Sequence, residues 1–222
     1  ISCYAIELEG FGELSGGREG HISSMKKYHE ALRTLKLAAA AENPGKPVFI
    51  LGESMGGLIA TYHVLYHDAD FKGLISIAPA YKDVLKISAL NRLRIFLESL
   101  VNGSAREQMP FTNSELTSDP EILAKLDADK REHKKASASL LRGNLMEQAG
   151  VILGIGRLKV PLLLLLAGRD RLVDTPFAIK LFHKVKGDKK YILYPDSLHA
   201  LTIEKNREEV FSDIVKWLEK RV

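Results

Sequence analysis

The chain has 222 residues, 45% of them hydrophobic, and a formal net charge of +4. That is enough apolar material for one large domain or a core carrying an insertion, and the longest strongly apolar run, residues 160–167, is far too short to span a bilayer. The basic excess lies in Lys26-Lys27, Lys130-Arg131 and Lys134-Lys135 without interleaved aromatics, which reads as solvated helix faces and argues against a nucleic-acid partner. The single cysteine, Cys3, excludes an internal disulfide framework and reads as a small buried residue. No signal peptide is visible and the chain opens on Ile1; a cytoplasmic or peripheral membrane location is expected.

In chain order, residues 3–8 are rich in β-formers and run into a loop containing Gly10, Gly12, Gly16 and Gly17, so a strand followed by a loop is expected. Ser23-Ser24 then caps a helix whose apolar positions, Met25, Tyr28, Leu32, Leu35 and Ala39, repeat at helical spacing. After Pro44 and Pro47 comes a short apolar strand, residues 48–51, which leads into Gly52-Glu53-Ser54-Met55-Gly56. This is the glycine-x-serine-x-glycine pattern of a nucleophile elbow, a sharp strand-to-helix turn that presents a serine hydroxyl. The following helix carries Leu58, Thr61, Tyr62 and Leu65 on one face to about residue 67, and residues 73–78 form the next strand.

Strands separated by helices of this length pair in parallel through right-handed crossovers, which gives an open α/β sheet with its ligand site beyond the carboxyl ends of the strands. Residues 81–159 break the alternation. They contain an amphipathic stretch from Val84 to Leu100, a loop at Met109-Pro110-Phe111, the turn Ser118-Asp119-Pro120 and two further helical pieces. This segment is expected to be a helical cap, a lid over the elbow. The core is expected to comprise residues 1–80 and 160–222. The second part holds a leucine-rich strand ending at Gly168-Arg169-Asp170, a helix opened by Asp174-Thr175-Pro176, a strand at 190–194, the loop bearing His199 and a last helix over about 203–220.

A serine hydroxyl needs a base within hydrogen-bond reach and a third group to orient that base. Ser54, Asp170 and His199 each follow a strand and would project from the same sheet edge, in the order serine, acid, histidine. The N–H of Met55, at the start of the elbow helix, suits a developing oxyanion. Asp174 rivals Asp170 but looks like a helix cap; Asp196 and Glu204 read as loop and helix-surface acids. His63 and His67 stand four apart, yet Val64 replaces the glutamate of the zinc motif, so no metal is expected there. His21, His29, His133 and His183 read as structural. The scheme calls for no cofactor.

Gly-Glu-Ser54-Met-Gly-Gly, Ala-Gly-Arg-Asp170-Arg-Leu-Val-Asp and Asp-Ser-Leu-His199-Ala-Leu resemble three blocks of the monoacylglycerol lipase and lysophospholipase-like branch of the α/β-hydrolases. The loop at 6–17 is similar to that family's segment before the elbow, with Glu7 where an aspartate is usual. The likeness runs almost end to end and is loosest over the insertion. It implies Ser54 as nucleophile, His199 as general base and then acid, Asp170 as orienting carboxylate, and a small-molecule lipid ester as substrate. It also implies about three strands upstream of this chain's first, one of which leads to a second oxyanion donor; those N-terminal strands are expected to be absent here. Two other readings stay open: a small-ester carboxylesterase or thioesterase, and a non-catalytic ligand-binding relative. Transient contact with a membrane surface is compatible with all of them.

Overall fold

The leucine run lies at the centre of the computed structural model, which describes residues 1–68, 70–85 and 87–222. Four parallel strands, β1 (Phe49–Glu53), β2 (Gly73–Ile77), β5 (Leu162–Ala167) and β6 (Lys189–Tyr194), form a sheet in the order β1-β2-β5-β6. Every residue of β5 is buried because the strand has helices on both faces. Leu162, Leu164 and Leu166 meet one core cluster with Leu58, Val64, Val151, Leu181 and Phe182, while Leu163, Leu165 and Ala167 meet the other with Val210, Ile214 and Trp217. Two-sided burial removes the usual polar alternation and explains an uninterrupted leucine stretch.

Helix α1 (Lys26–Glu42) precedes β1, α2 (Met55–Tyr66) connects β1 to β2, α6 (Thr175–Lys184) connects β5 to β6, and α7 (Arg207–Glu219) closes the chain against the second cluster. The N-cap of α1 is Met25 and not the expected serine pair; the Ser24 hydroxyl, one residue further out, accepts the Lys26 N–H at 3.3 Å. The apolar face expected on α2 is wider than its sequence pattern implies: Leu58, Ile59, Ala60, Thr61, His63 and Val64 are all buried, because a second helix covers its outer side.

That covering helix belongs to the 81–159 stretch, which contains α3 (Ala89–Val101), α4 (Pro120–Ala128) and α5 (Ala138–Gly154). It is not wholly helical. β3 (Arg106–Gln108) and β4 (Lys135–Ser137) form a separate antiparallel pair, and the amphipathic stretch becomes helical only after its N-cap, Ser88. α3 packs on α5 yet leaves Leu90, Leu93, Leu97, Leu100 and Val101 exposed.

Two expectations fail at the amino end. Residues 3–8 form no strand: intrinsic β-preference needs a partner's hydrogen-bond row, and this end of the chain is joined to the end of α1 by side chains, Tyr4 to Glu42 at 2.7 Å and the preceding Ser2 to Asn43 at 3.3 Å. Cys3, part of that same segment, is exposed and not buried. Among the described residues, no helix is long and apolar enough to cross a membrane.

Candidate active site

The elbow is built from close backbone approach. A methyl group on Gly52 would lie 2.2 Å from the Gly56 carbonyl oxygen, so any larger residue would force β1 and α2 apart. Ser54 sits at the apex with φ 54° and ψ −119°, a left-handed conformation that costs a non-glycine residue on the order of 1–3 kcal/mol. It is held there from both sides: its N–H donates to Ile77 O at 2.9 Å, and its carbonyl accepts from Leu58 N at 3.2 Å and Ala80 N at 3.0 Å. Met55 is the first residue of α2, so its N–H is one of those with no acceptor inside the helix.

Three loops meet at this serine. Asp170 follows β5 and His199 follows β6, at the same carboxyl-terminal edge as Ser54. The Ser54 Oγ lies 2.8 Å from His199 Nε2, and His199 Nδ1 lies 2.8 Å from Asp170 Oδ2. The second oxygen of Asp170 accepts the N–H groups of Leu172 and Val173, both at 2.9 Å, so the carboxylate is fixed as an acceptor. This network assigns the proton of a neutral His199 to Nδ1 and leaves Nε2 to accept from the serine hydroxyl. The Asp170 and His199 side chains are only 1% and 3% exposed, which strengthens electrostatic interactions between them relative to water. Such an arrangement can remove a proton from an alcohol, hold the resulting imidazolium and return the proton to a leaving group.

Asp174 is not part of this group. It caps α6, accepting from Phe177 N at 2.9 Å, and pairs with Lys82 at 2.7 Å; the Lys82 bond leads the effects that hold its carboxyl below the usual range. Asp196 is exposed on its loop.

Glu204 departs from the expectation of a helix-surface acid. It is buried, at 2% exposure, and accepts hydrogen bonds from residues on both sides of the His199 loop. Glu53, the variable residue inside the elbow motif, carries no sequence signal of its own. Its carboxylate takes the Thr202 N–H at 3.1 Å and the Thr202 hydroxyl at 2.5 Å, which ties the elbow to the histidine loop. Burial raises its carboxyl above the ordinary value, only partly offset by those bonds and by nearby His199.

The helix histidines pack against one another across α1 and α2, within the structural reading of the sequence. His29 Nε2 lies 2.8 Å from Glu147 Oε1, and His29 Nδ1 lies 3.2 Å from His63 Nδ1, so α1, α2 and α5 share one buried polar cluster. His67 stacks on His29 with ring centres 4.1 Å apart. With Nε2–H of His29 donating to the carboxylate, its Nδ1 accepts from His63, and His63 Nε2 is left as a buried acceptor without a partner. Desolvation, followed by the neighbouring His29 and His67, pushes His63 down to about 4. Among the described residues, no group of three or more His, Cys, Asp or Glu side chains is arranged to hold a metal ion.

A parallel sheet whose strand ends deliver serine, acid and histidine in that order, with the serine on a strained elbow, is constructed as the α/β-hydrolases are. The family described as Serine aminopeptidase, S33 (Hydrolase_4) matches residues 1–206, and the chain belongs to that family. It is 26% identical over 223 residues to a monoacylglycerol lipase of Mycolicibacterium smegmatis, covering 98% of this chain and 78% of that protein. To the Homo sapiens monoglyceride lipase it is 28% identical over 214 residues, covering 90% of this chain and 63% of that one. In three dimensions it is similar to a soluble variant of monoglyceride lipase from Saccharomyces cerevisiae solved in complex with a substrate analog. The TM-score there is 0.83 at 21% identity, with 96% of this chain and 75% of that chain covered. This last likeness bears on the fold.

Proposed function

We propose that the protein is a serine hydrolase that cleaves carboxylic esters of lipid-like substrates, monoacylglycerols or lysophospholipids, through an acyl-enzyme. The observation that carries this reading is the unbroken hydrogen-bond chain from Ser54 through His199 to Asp170, 2.8 Å at each link. In the proposed sequence Ser54 Oγ attacks the ester carbonyl carbon while His199 Nε2 takes its proton. Asp170 keeps the imidazole oriented and stabilises its positive charge, and the Met55 N–H donates to the oxyanion. Collapse of the tetrahedral intermediate breaks the ester bond, and the leaving alcohol takes the proton from His199. Water, deprotonated by the same nitrogen, then attacks the acyl-enzyme and releases the carboxylic acid with Ser54 restored.

The lipid part of the reading draws on the names of the relatives and on the apolar side chains of α3, Leu90, Leu93, Leu97 and Leu100. We assign residues 81–159 as a cap over the elbow, where α5 places Asn144 against Met55 Sδ at 3.5 Å and Gln148 against Ala80 O at 2.8 Å. The leucines that α3 leaves exposed suit transient contact with the lipid surface from which a monoester would be drawn.

A series of monoacylglycerols of increasing acyl length tests the substrate class. If the acyl chain is buried on binding, kcat/KM rises about fourfold per added methylene until the site is filled. Fastest turnover of acetate esters or of thioesters would move the assignment to a small-ester carboxylesterase or thioesterase. Complete absence of labelling by a fluorophosphonate, with the protein folded, would favour a ligand-binding relative.

A further inference from the structure

Glu204 is the most heavily bonded side chain near the histidine loop, although it touches neither Ser54 nor His199 among its hydrogen-bond partners. Its Oε1 accepts the Ser118 hydroxyl at 2.5 Å, the Ser118 N–H at 3.1 Å and the Lys205 N–H at 2.8 Å. Its Oε2 accepts the Leu198 N–H at 3.1 Å and shares the Ser118 N–H, also at 3.1 Å. Leu198 immediately precedes the histidine. On the other side, Ala200 N–H donates to Leu116 O at 2.8 Å, and the Thr117 hydroxyl donates to Ile203 O at 2.9 Å. The backbone is therefore pinned at the residues before and after His199, and both pins end on residues 116–118 or on the carboxylate that binds them.

We infer that Glu204 is a positioning residue which, with Leu116, Thr117 and Ser118, fixes His199 at hydrogen-bonding distance from Ser54. This deepens the proposed hydrolase reading and rests on it. The donor set fits a carboxylate and nothing else of that size. Four donor groups converge on two oxygens, and a glutamine could offer only one acceptor oxygen while turning its own N–H₂ toward the donors on the other side. Burial works to raise the Glu204 carboxyl, yet the bonds from Ser118, Lys205 and Leu198 outweigh it and leave the group below its ordinary value. The pocket is thus preorganised for the anion. The arrangement also gives the 116–118 segment a second role. Although it lies within the stretch read as a cap, it bonds to the backbone that follows His199 and to the carboxylate that holds the residue before it.

The test compares wild type with Glu204→Gln, Ser118→Ala and Ser118→Thr. Measurements are steady-state turnover of a p-nitrophenyl ester, the rate of fluorophosphonate labelling, thermal melting, and the downfield proton resonance of His199 Nδ1–H by NMR. Displacing a catalytic group by a fraction of an ångström to one ångström costs on the order of 10- to 100-fold, so Glu204→Gln is expected to lower kcat and labelling by about that factor with KM within about twofold. Ser118→Ala should give a smaller loss in the same two readouts, and Ser118→Thr, which keeps the hydroxyl, should recover it. The His199 resonance should shift or broaden in Glu204→Gln.

Unchanged labelling and an unchanged resonance in a folded Glu204→Gln protein overturn the inference while leaving the hydrolase reading intact. If instead the wild type neither turns over nor labels, that reading fails, and the resonance still decides whether Glu204 holds the histidine. Should Glu204→Gln not fold, the Ser118 pair carries the comparison: equal activity and resonance in Ser118→Ala and wild type count against the inference.

Discussion

Replacing Ser54 by alanine should reduce ester turnover by about four orders of magnitude or more and abolish fluorophosphonate labelling, with melting close to wild type. The loss is expected to be that large because in the proposed mechanism the hydroxyl is the attacking group, and it is the partner of His199 Nε2 at 2.8 Å. Substantial remaining turnover would remove Ser54 from the mechanism. The companion substitutions separate two aspartates four residues apart. Asp170→Asn keeps the shape of the side chain, but its amide can turn an N–H₂ toward His199 Nδ1 and so favour the wrong tautomer, an effect worth about 10⁴ in kcat where it has been isolated in serine hydrolases. Asp174→Asn retains an oxygen to cap α6 through Phe177 N and forfeits mainly the pair with half-exposed Lys82, so its effect on kcat should stay within a few-fold. A larger loss at Asp174 would reverse the assignment of the acid.

The second large effect is on stability and concerns the cluster behind the elbow helix. His63 is 1% exposed, and its Nε2 has no hydrogen-bond partner. In the unfolded chain it takes up a proton as pH falls through its ordinary value near 6.5, while in the folded protein it stays neutral down to about 4. The unfolded state therefore binds more protons in this window, and stability falls with pH across it. The full difference corresponds to about 3 kcal/mol. Glu147 acts in the opposite sense. Burial raises its carboxyl against the pull of His29, so above the ordinary glutamate value the folded protein keeps that proton more readily than the unfolded chain does. The other ionisable groups nearby are His29 and His67, with Asp68 and Lys36 beyond. Urea unfolding at several values between pH 7 and 4 should show the decline, and His63→Gln, which keeps an N–H for His29 without titrating, should flatten it. An equal slope in both proteins would mean that His63 titrates normally.

The features legible in the sequence are those whose cause is local. Gly52 and Ser54 declare a turn within five residues, and the run at 162–166 declares a strand buried on both faces. The order Ser54, Asp170, His199 could be read because each residue lies in the turn or loop that follows a strand, and parallel strands end at one edge. What escaped depends on partners distant in the chain. Residues 3–8 have strand-forming side chains but no ladder to join. β3 and β4, Arg106–Gln108 and Lys135–Ser137, are three residues each with no β-branched or aromatic member, so nothing local marks them. Glu204 is one of several acids after His199, and only the return of residues 116–118 to that loop distinguishes it from Glu208 and Glu209. The contact of His29 with Glu147 joins positions 118 apart on two helices whose separate patterns give no sign of it.

Helix α5 contacts both the elbow and the outer side of α2. Around its middle, Asn144 and Gln148 bond to Met55 Sδ and Ala80 O beside the elbow. In its second half, bare Gly150 lets Tyr62 of α2 approach so closely that a methyl group there would sit 2.4 Å from the ring, and the Gly150 carbonyl takes the Tyr66 hydroxyl at 2.8 Å. A rod bolted down along its rear cannot swing like a door. If residues 81–159 act as the proposed cap, these contacts hold its rear in place, and the movement that admits a long-chain ester falls to α3 and α4 at its front.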